Sequence, residues 1–223
     1  MDQTLITHYR NVFNEIARTH LVPDQIPDEC VFVFILESPH IQELKFGAPV
    51  SGASGLSMTQ HLFKGAWNLP LGQLTLALAQ GDITDPSVAR VGLMNACQVP
   101  LQMSAYKTAP VAEKYRTEMS RFESIRTANG RTKFTDEHLE AIQQVIASSL
   151  RKKLNKLTER KLYMIPCGRF AQKFAHLASV PSPNWEWIEG IPHPSYNNWS
   201  KPDYRPAVTR LTDLFTQVVQ TNQ

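Results

Sequence analysis

Cysteine is scarce: three occur in 223 residues, Cys30, Cys97 and Cys167, far apart and with no CxxC pair. Such spacing excludes a disulfide scaffold and sets the expectation of a cytoplasmic protein with reduced thiols. No apolar run approaches the roughly 20 residues that a membrane helix needs, so no membrane is expected among its partners. The opening Met-Asp-Gln-Thr lacks the basic start and apolar stretch of a signal peptide. Internal repeats and low-complexity tracts are missing. So is the Gly-x-Ser-x-Gly nucleophile elbow, which argues against an α/β-hydrolase. His8, His20, His61, His138 and His176 have no carboxylate or cysteine at metal-ligand spacing, and no metal or other cofactor is expected.

What is present is an ordinary globular composition, 42% hydrophobic, 9% aromatic and 19% charged. That excludes disorder, and the length suits one domain over residues 1–223. The net charge of +3 is unevenly spread. Residues 1–100 carry 5 Lys/Arg against 9 Asp/Glu, whereas residues 101–161 carry 13 against 7, a local net of +6. Lys107, Lys114, Arg116, Arg121, Arg126, Arg131 and Lys133 interleave there with Tyr106, Tyr115 and Phe122. The pattern suits a polyanion partner such as a DNA backbone, or a solvated helix face.

Hydrophobic periodicity predicts helices over about 4–19, 56–80 with a break at Asn68-Leu69-Pro70, 110–126, 136–158, 169–178 and 205–220. Four short apolar runs read as strands buried on both faces: 31–36, 91–94, 161–166 and 187–191. Strands alternating with helices predict an α/β fold, a three-layer α/β/α sandwich around a mostly parallel four-stranded sheet. Ligands of open α/β sheets bind outside the carboxyl ends of the strands. Glu37, Asn95 and His193 stand at three of those ends. Taken singly, Glu37 reads as a helix cap or ion pair, Asn95 as a turn residue and His193 as a loop histidine. Together they define one expected pocket.

Five motifs follow one another along the chain: Leu36-Glu37-Ser38-Pro39-His40, the Gly47 to Gly55 loop, Met94-Asn95, Cys167-Gly168 and His193-Pro194-Ser195. The ordered set resembles the uracil-DNA glycosylase superfamily over about residues 30–215. The resemblance implies a monofunctional DNA glycosylase acting as a monomer on DNA. It would flip a nucleotide and hydrolyse its N-glycosidic bond. Glu37 would stabilise the oxocarbenium-like sugar and position water, and His193 would donate to the departing base. Asn95, Val50 and Ser38 would line the base. Pro39, Ser51, Gly52, Ser54, Gly55 and Ser195 would hold the DNA backbone, with the backbone N–H groups around Ser51 to Gly55, opening a helix, offered to a phosphate. Tyr196 and Trp199 would wedge the duplex. Three departures are informative. Val50 stands where the family places a stacking Phe, which implies a roomier pocket. Leu36 and His40 replace two glycines. The cysteines of the iron–sulfur branches are missing, so no cluster is expected. The base is therefore expected to be uracil or a bulky modified pyrimidine, such as a hypermodified cytosine of phage DNA met in antiphage defence. The alternative is a catalytically silent DNA-binding protein on the same fold.

Overall fold

The structure is a computed structural model and describes residues 3–106 and 109–221; Lys107 lies outside them. Its centre is a sheet of four parallel strands in the order β2-β1-β3-β4. The strands are β1 Phe32–Leu36, β2 Val91–Asn95, β3 Leu162–Pro166 and β4 Trp185–Trp187. Among the described residues ten α-helices accompany them: α1 Gln3–His20, α2 Ile41–Phe46, α3 Ala53–Leu62, α4 Leu71–Gln80, α5 Pro86–Ala89, α6 Pro110–Lys114, α7 Arg116–Thr127, α8 Glu137–Leu154, α9 Gly168–Ala178 and α10 Arg205–Thr221.

The alternation of side chains along a strand explains the layering. From β1, Val33 and Ile35 enter an apolar cluster with Tyr9 and Ile16 of α1, Phe122 of α7, Ile142 of α8 and Phe174 of α9. Phe32, Phe34 and Leu36 enter a second cluster with Met58 of α3, Leu74 of α4 and Phe215 of α10. Helices thus cover both faces, which is why the inner strands are apolar at every position rather than every second one. No described helix is long and apolar enough to cross a membrane.

Two expected elements change. The last strand is β4 at 185–187, not 187–191. Trp185 Nε1 donates to the Leu157 carbonyl at 3.1 Å and Asn184 Nδ2 to the Thr158 carbonyl at 2.9 Å, which pins the strand's start. Ile188 and Ile191, which extended the predicted run, are loop residues buried beside the sheet edge. The expected helix at 110–126 is divided at Tyr115, whose backbone (φ −116°, ψ 30°) leaves the helical region. Its hydroxyl donates to Glu15 of α1 at 2.6 Å.

Candidate functional site

The β1–β2 register pairs Leu36 with Asn95, and the ladder runs on past the strands: Ala96 N donates to Leu36 O at 2.8 Å and Cys97 N to Glu37 O at 3.1 Å. Glu37 and Asn95 are thereby neighbours at one edge of the sheet. His193 arrives from the other side through Gly168, which follows β3. A Cβ on Gly168 would lie 2.7 Å from the Cβ of His193, and its φ is +85°. Only glycine allows this approach. The Gly168 N–H donates to Ile191 O at 2.9 Å, fixing the chain just before His193.

Each of the three side chains is held by partners. Glu37 accepts from Arg126 Nε at 2.5 Å. Burial raises its pKa, and Arg126 partly opposes that. The His193 ring receives two hydrogen-bonding groups at Nδ1: the backbone N–H of Ser195 at 3.2 Å and the Ser195 hydroxyl at 2.8 Å. A backbone N–H can only donate, so Nδ1 is the acceptor and the proton of the neutral ring sits on Nε2. Burial, reinforced by the positive charge of Arg126, holds the imidazole down at about 4. His193 is a neutral donor at neutral pH. Asn95, 1% exposed, donates through Nδ2 to Glu43 Oε1 at 3.3 Å, while its Oδ1 is buried with no hydrogen-bond partner. Behind the site, Lys153 Nζ donates to the Asn95 carbonyl at 2.5 Å and pairs with Asp24 at 3.1 Å.

The loop from Gly47 to Gly52 closes the third side. Val50 has φ +46°, an outlier for a β-branched residue. Its N–H donates to Glu43 Oε1 at 2.8 Å. Helix packing enforces the conformation: a Cβ on Gly55 would fall 1.6 Å from the Val50 carbonyl oxygen, and one on Gly72 1.9 Å from that of Pro49. Glu43 also accepts the His40 N–H at 2.7 Å through Oε2, so one buried carboxylate ties α2, the loop and β2 together. Desolvation pushes it up to about 7, with Glu37 nearby adding to the shift.

Several expected assignments are corrected. Trp199 is unavailable as a wedge: it is 1% exposed, packs against Phe34 and His61, and donates from Nε1 to Pro192 O at 3.0 Å. The Ser195 hydroxyl is spent on His193 at 2.8 Å, so it is not directed at a DNA backbone; the Ser51 hydroxyl donates to Ala48 O at 2.8 Å, which leaves the expectation for its backbone N–H as it was. The Val50 side chain is buried in the apolar layer. Pro39 is buried. Within the basic segment, Lys114 pairs with Glu15, Arg121 donates to the Tyr9 hydroxyl at 3.0 Å and Arg126 pairs with Glu37. Arg116 and Lys133 are exposed. Tyr196 is 88% exposed with φ +55°, at the tip of the loop after His193. The Ser38 hydroxyl is buried without a partner. Helix α3 starts from Gly52 with no side-chain cap, which leaves its first-turn N–H groups at Ala53 and Ser54 without a helical acceptor.

Glu43 and Lys153 are missed by sequence reading, which also places Arg126 in the basic segment without its contact to Glu37. The partners of Glu43, Lys153 and Arg126 lie 52, 58 and 89 residues away along the chain. The one local signal is the spacing His40-x-x-Glu43, a capping-box geometry with histidine where Ser or Thr is usual. A separate groove of about 490 Å³ opens between α1, α8 and residues 96–99. Its described lining carries Arg10 and Lys152 but no carboxylate or imidazole. No protein-family model matches the chain, and no curated protein is significantly similar to it.

Proposed function

We propose that this chain is a monofunctional DNA glycosylase with a uracil-DNA glycosylase-like fold, releasing uracil or a modified pyrimidine from a flipped nucleotide. The observation that carries the reading is a pair of buried atoms with no hydrogen-bond partner among the described residues, Ser38 Oγ and Asn95 Oδ1, beside a part-buried carboxylate and a neutral imidazole. Buried polar groups are ordinarily paired. Two orphans in one strand-end cluster are what a site awaiting a polar, planar ligand would contain.

The chemistry follows from the side chains. Breaking the N-glycosidic bond leaves positive charge on the sugar and negative charge on the base. Glu37, once Arg126 is drawn toward a phosphate, is free to face the sugar as a carboxylate and orient water. The Nε2–H of neutral His193 donates to the base oxygen as charge develops there, without first losing a proton. Asn95 reads the base edge. The open first turn of α3 receives a phosphate, and Tyr196 fills the gap that the flipped nucleotide leaves. Lys153, the lysine at this end of the sheet, is tied to Asp24 and the Asn95 carbonyl. No amine therefore attacks the sugar, and the abasic product stays uncleaved.

The experiment is a panel of duplexes containing uracil, ordinary bases or phage-type modified cytosines, scored for abasic sites by alkali cleavage. Base release from at least one duplex is expected. Glu37→Gln is expected to bind DNA while releasing the base about 10²-fold more slowly or worse. Full activity in that variant removes Glu37 from the mechanism, and release from no member of the panel rejects the reading.

A further inference from the structure

We infer that the groove between α1 and α8 docks an extended, acidic peptide segment of a partner protein, a function separate from the glycosylase reading above. The groove follows one stripe of α1, from Gln3 through Ile6, Arg10, Phe13 and Ala17 to Leu21 just past the helix. At about 1.5 Å of rise per residue, that stripe is about 27 Å long. The volume of the groove is about 490 Å³. A helix about 10–12 Å across, even half-sunk along that length, would displace about 1,000 Å³. The groove is too narrow for one. An extended chain rises about 3.3 Å per residue, so about eight residues span it.

The lining says what kind of chain fits. Ile6, Phe13, Ala17, Val99 and Val145 offer apolar surface to the side chains that an extended segment points inward at every second residue. Around them stand neutral polar side chains, those of Gln3, Asn14, Gln144, Ser148 and Ser149, and none of these makes a side-chain hydrogen bond among the described residues. A peptide backbone carries a donor and an acceptor at nearly every residue and needs partners for both when it leaves water. Amide and hydroxyl side chains supply both kinds. A purely hydrocarbon ligand would leave them unused.

Charge sets the sign of the partner. Arg10 and Lys152 line the groove, and neither belongs to an ion pair among the described residues. The cations beside them are engaged: Lys114 pairs with Glu15 and Lys153 with Asp24. With no carboxylate in its described lining, the groove attracts acidic side chains and repels basic ones. Its third wall is already fixed. Ala96 N donates to Leu36 O at 2.8 Å, Cys97 N to Glu37 O at 3.1 Å and Val22 N to Gln98 O at 3.0 Å. Docking therefore costs little ordering on this side of the interface.

The test selects random octapeptides displayed on phage against the whole wild-type protein, then titrates the most enriched sequence as a synthetic peptide by fluorescence polarisation. Enriched peptides are expected to carry apolar residues at alternate positions with Asp or Glu between them. Arg10→Glu combined with Lys152→Glu is expected to weaken the peptide at least about tenfold, since two attractions become repulsions. Exchanging the peptide's acidic residues for their amides is expected to weaken its binding to wild type. Ser149→Trp fills the groove and is expected to abolish binding. All three substituted positions are exposed, so thermal melts are expected to match wild type. Failure to enrich any peptide over an unrelated control protein would overturn the inference. So would a peptide that binds the variants as tightly as wild type, which would lie elsewhere on the surface, and so would a consensus with helical spacing or basic residues. Base release enters none of these measurements, so this inference and the glycosylase reading fail separately.

Discussion

Arg126 and Glu37 are joined by a 2.5 Å hydrogen bond between the end of α7 and the end of β1. The same guanidinium lowers the pKa of His193 and opposes the burial that raises that of Glu37. One cation thus favours the charged form of the carboxylate, against its burial, and the neutral form of the imidazole, along with its burial. Removing it in Arg126→Ala raises both pKa values. The active form needs ionised Glu37, so the acid limb of the pH–rate profile is expected to move to higher pH. Release rates on a cleaved duplex from pH 4 to 9 check this, and an unmoved limb would detach Arg126 from Glu37.

Gly168 sets the position of His193. Alanine there combines strain at φ +85° with a Cβ 2.7 Å from that of His193. Gly168→Ala is expected to destabilise the fold by about 1–3 kcal/mol and, by displacing the imidazole, to slow release by about 10²-fold. Gly81→Ala is the control: its φ is +80°, but nothing lies within 4 Å of the added Cβ. It is expected to lose stability without losing activity. Thermal melts and rates on both variants decide between strain and displacement.

Tyr196 contributes almost nothing to the core at 88% exposure. Tyr196→Ala is expected to leave stability within about 0.5 kcal/mol of wild type. A wedge acts only where a partner strand must be held apart. Release from duplex DNA is expected to fall about tenfold while release from single-stranded DNA holds. Equal rates on duplex DNA would assign the loop another role.

Glu43 and His193 impose opposite pH dependences on folding. Glu43 sits at about 7 in the folded state against an ordinary 4.5. The native state binds the extra proton, and stability falls as pH rises between those values. His193 sits at about 4 against an ordinary 6.5. The unfolded chain binds the extra proton, so stability falls as pH drops from 6.5 toward 4. Each effect is worth up to about 3 kcal/mol. Relative to wild type, His193→Gln is expected to gain stability as pH falls through its window. Glu43→Gln is expected to gain as pH rises through its own. Urea midpoints between pH 4 and 8 test the two signs.

The inner strands were legible because both their faces are buried, which leaves continuous apolar runs bounded by polar residues. β4 was misplaced for the opposite reason. An edge strand of three residues needs little burial, and Glu186 and Trp187 are exposed, so the apolar signal peaked in the loop that follows. Glu37 and Asn95 were readable because chain order places them at strand ends, whereas His193 lies in the loop beyond β4 and is held against Gly168 after β3. Glu43 and Arg126 were not, since a glutamate in a short helix and an arginine in a basic segment look like solvated residues. Their roles exist only through contacts across the fold. Trp199 was misread because proximity to a loop motif says nothing of the direction in which a side chain points.

The junction of Pro49, Val50, Gly55 and Gly72 has a consequence for how such a site can be retuned over generations. With backbone on backbone at distances that admit no Cβ, the loop cannot lengthen, shorten or slide without separating α3 from α4. It behaves as a casting. Under the proposed function, adaptation to a new base must therefore be written in side chains that rest on it, Glu43, Asn95 and Val50 itself, or in the partners opposite, Arg126 and the Tyr196 loop. Drift at Gly55 or Gly72 is closed off, so these two positions record the constraint of the fold rather than the choice of substrate.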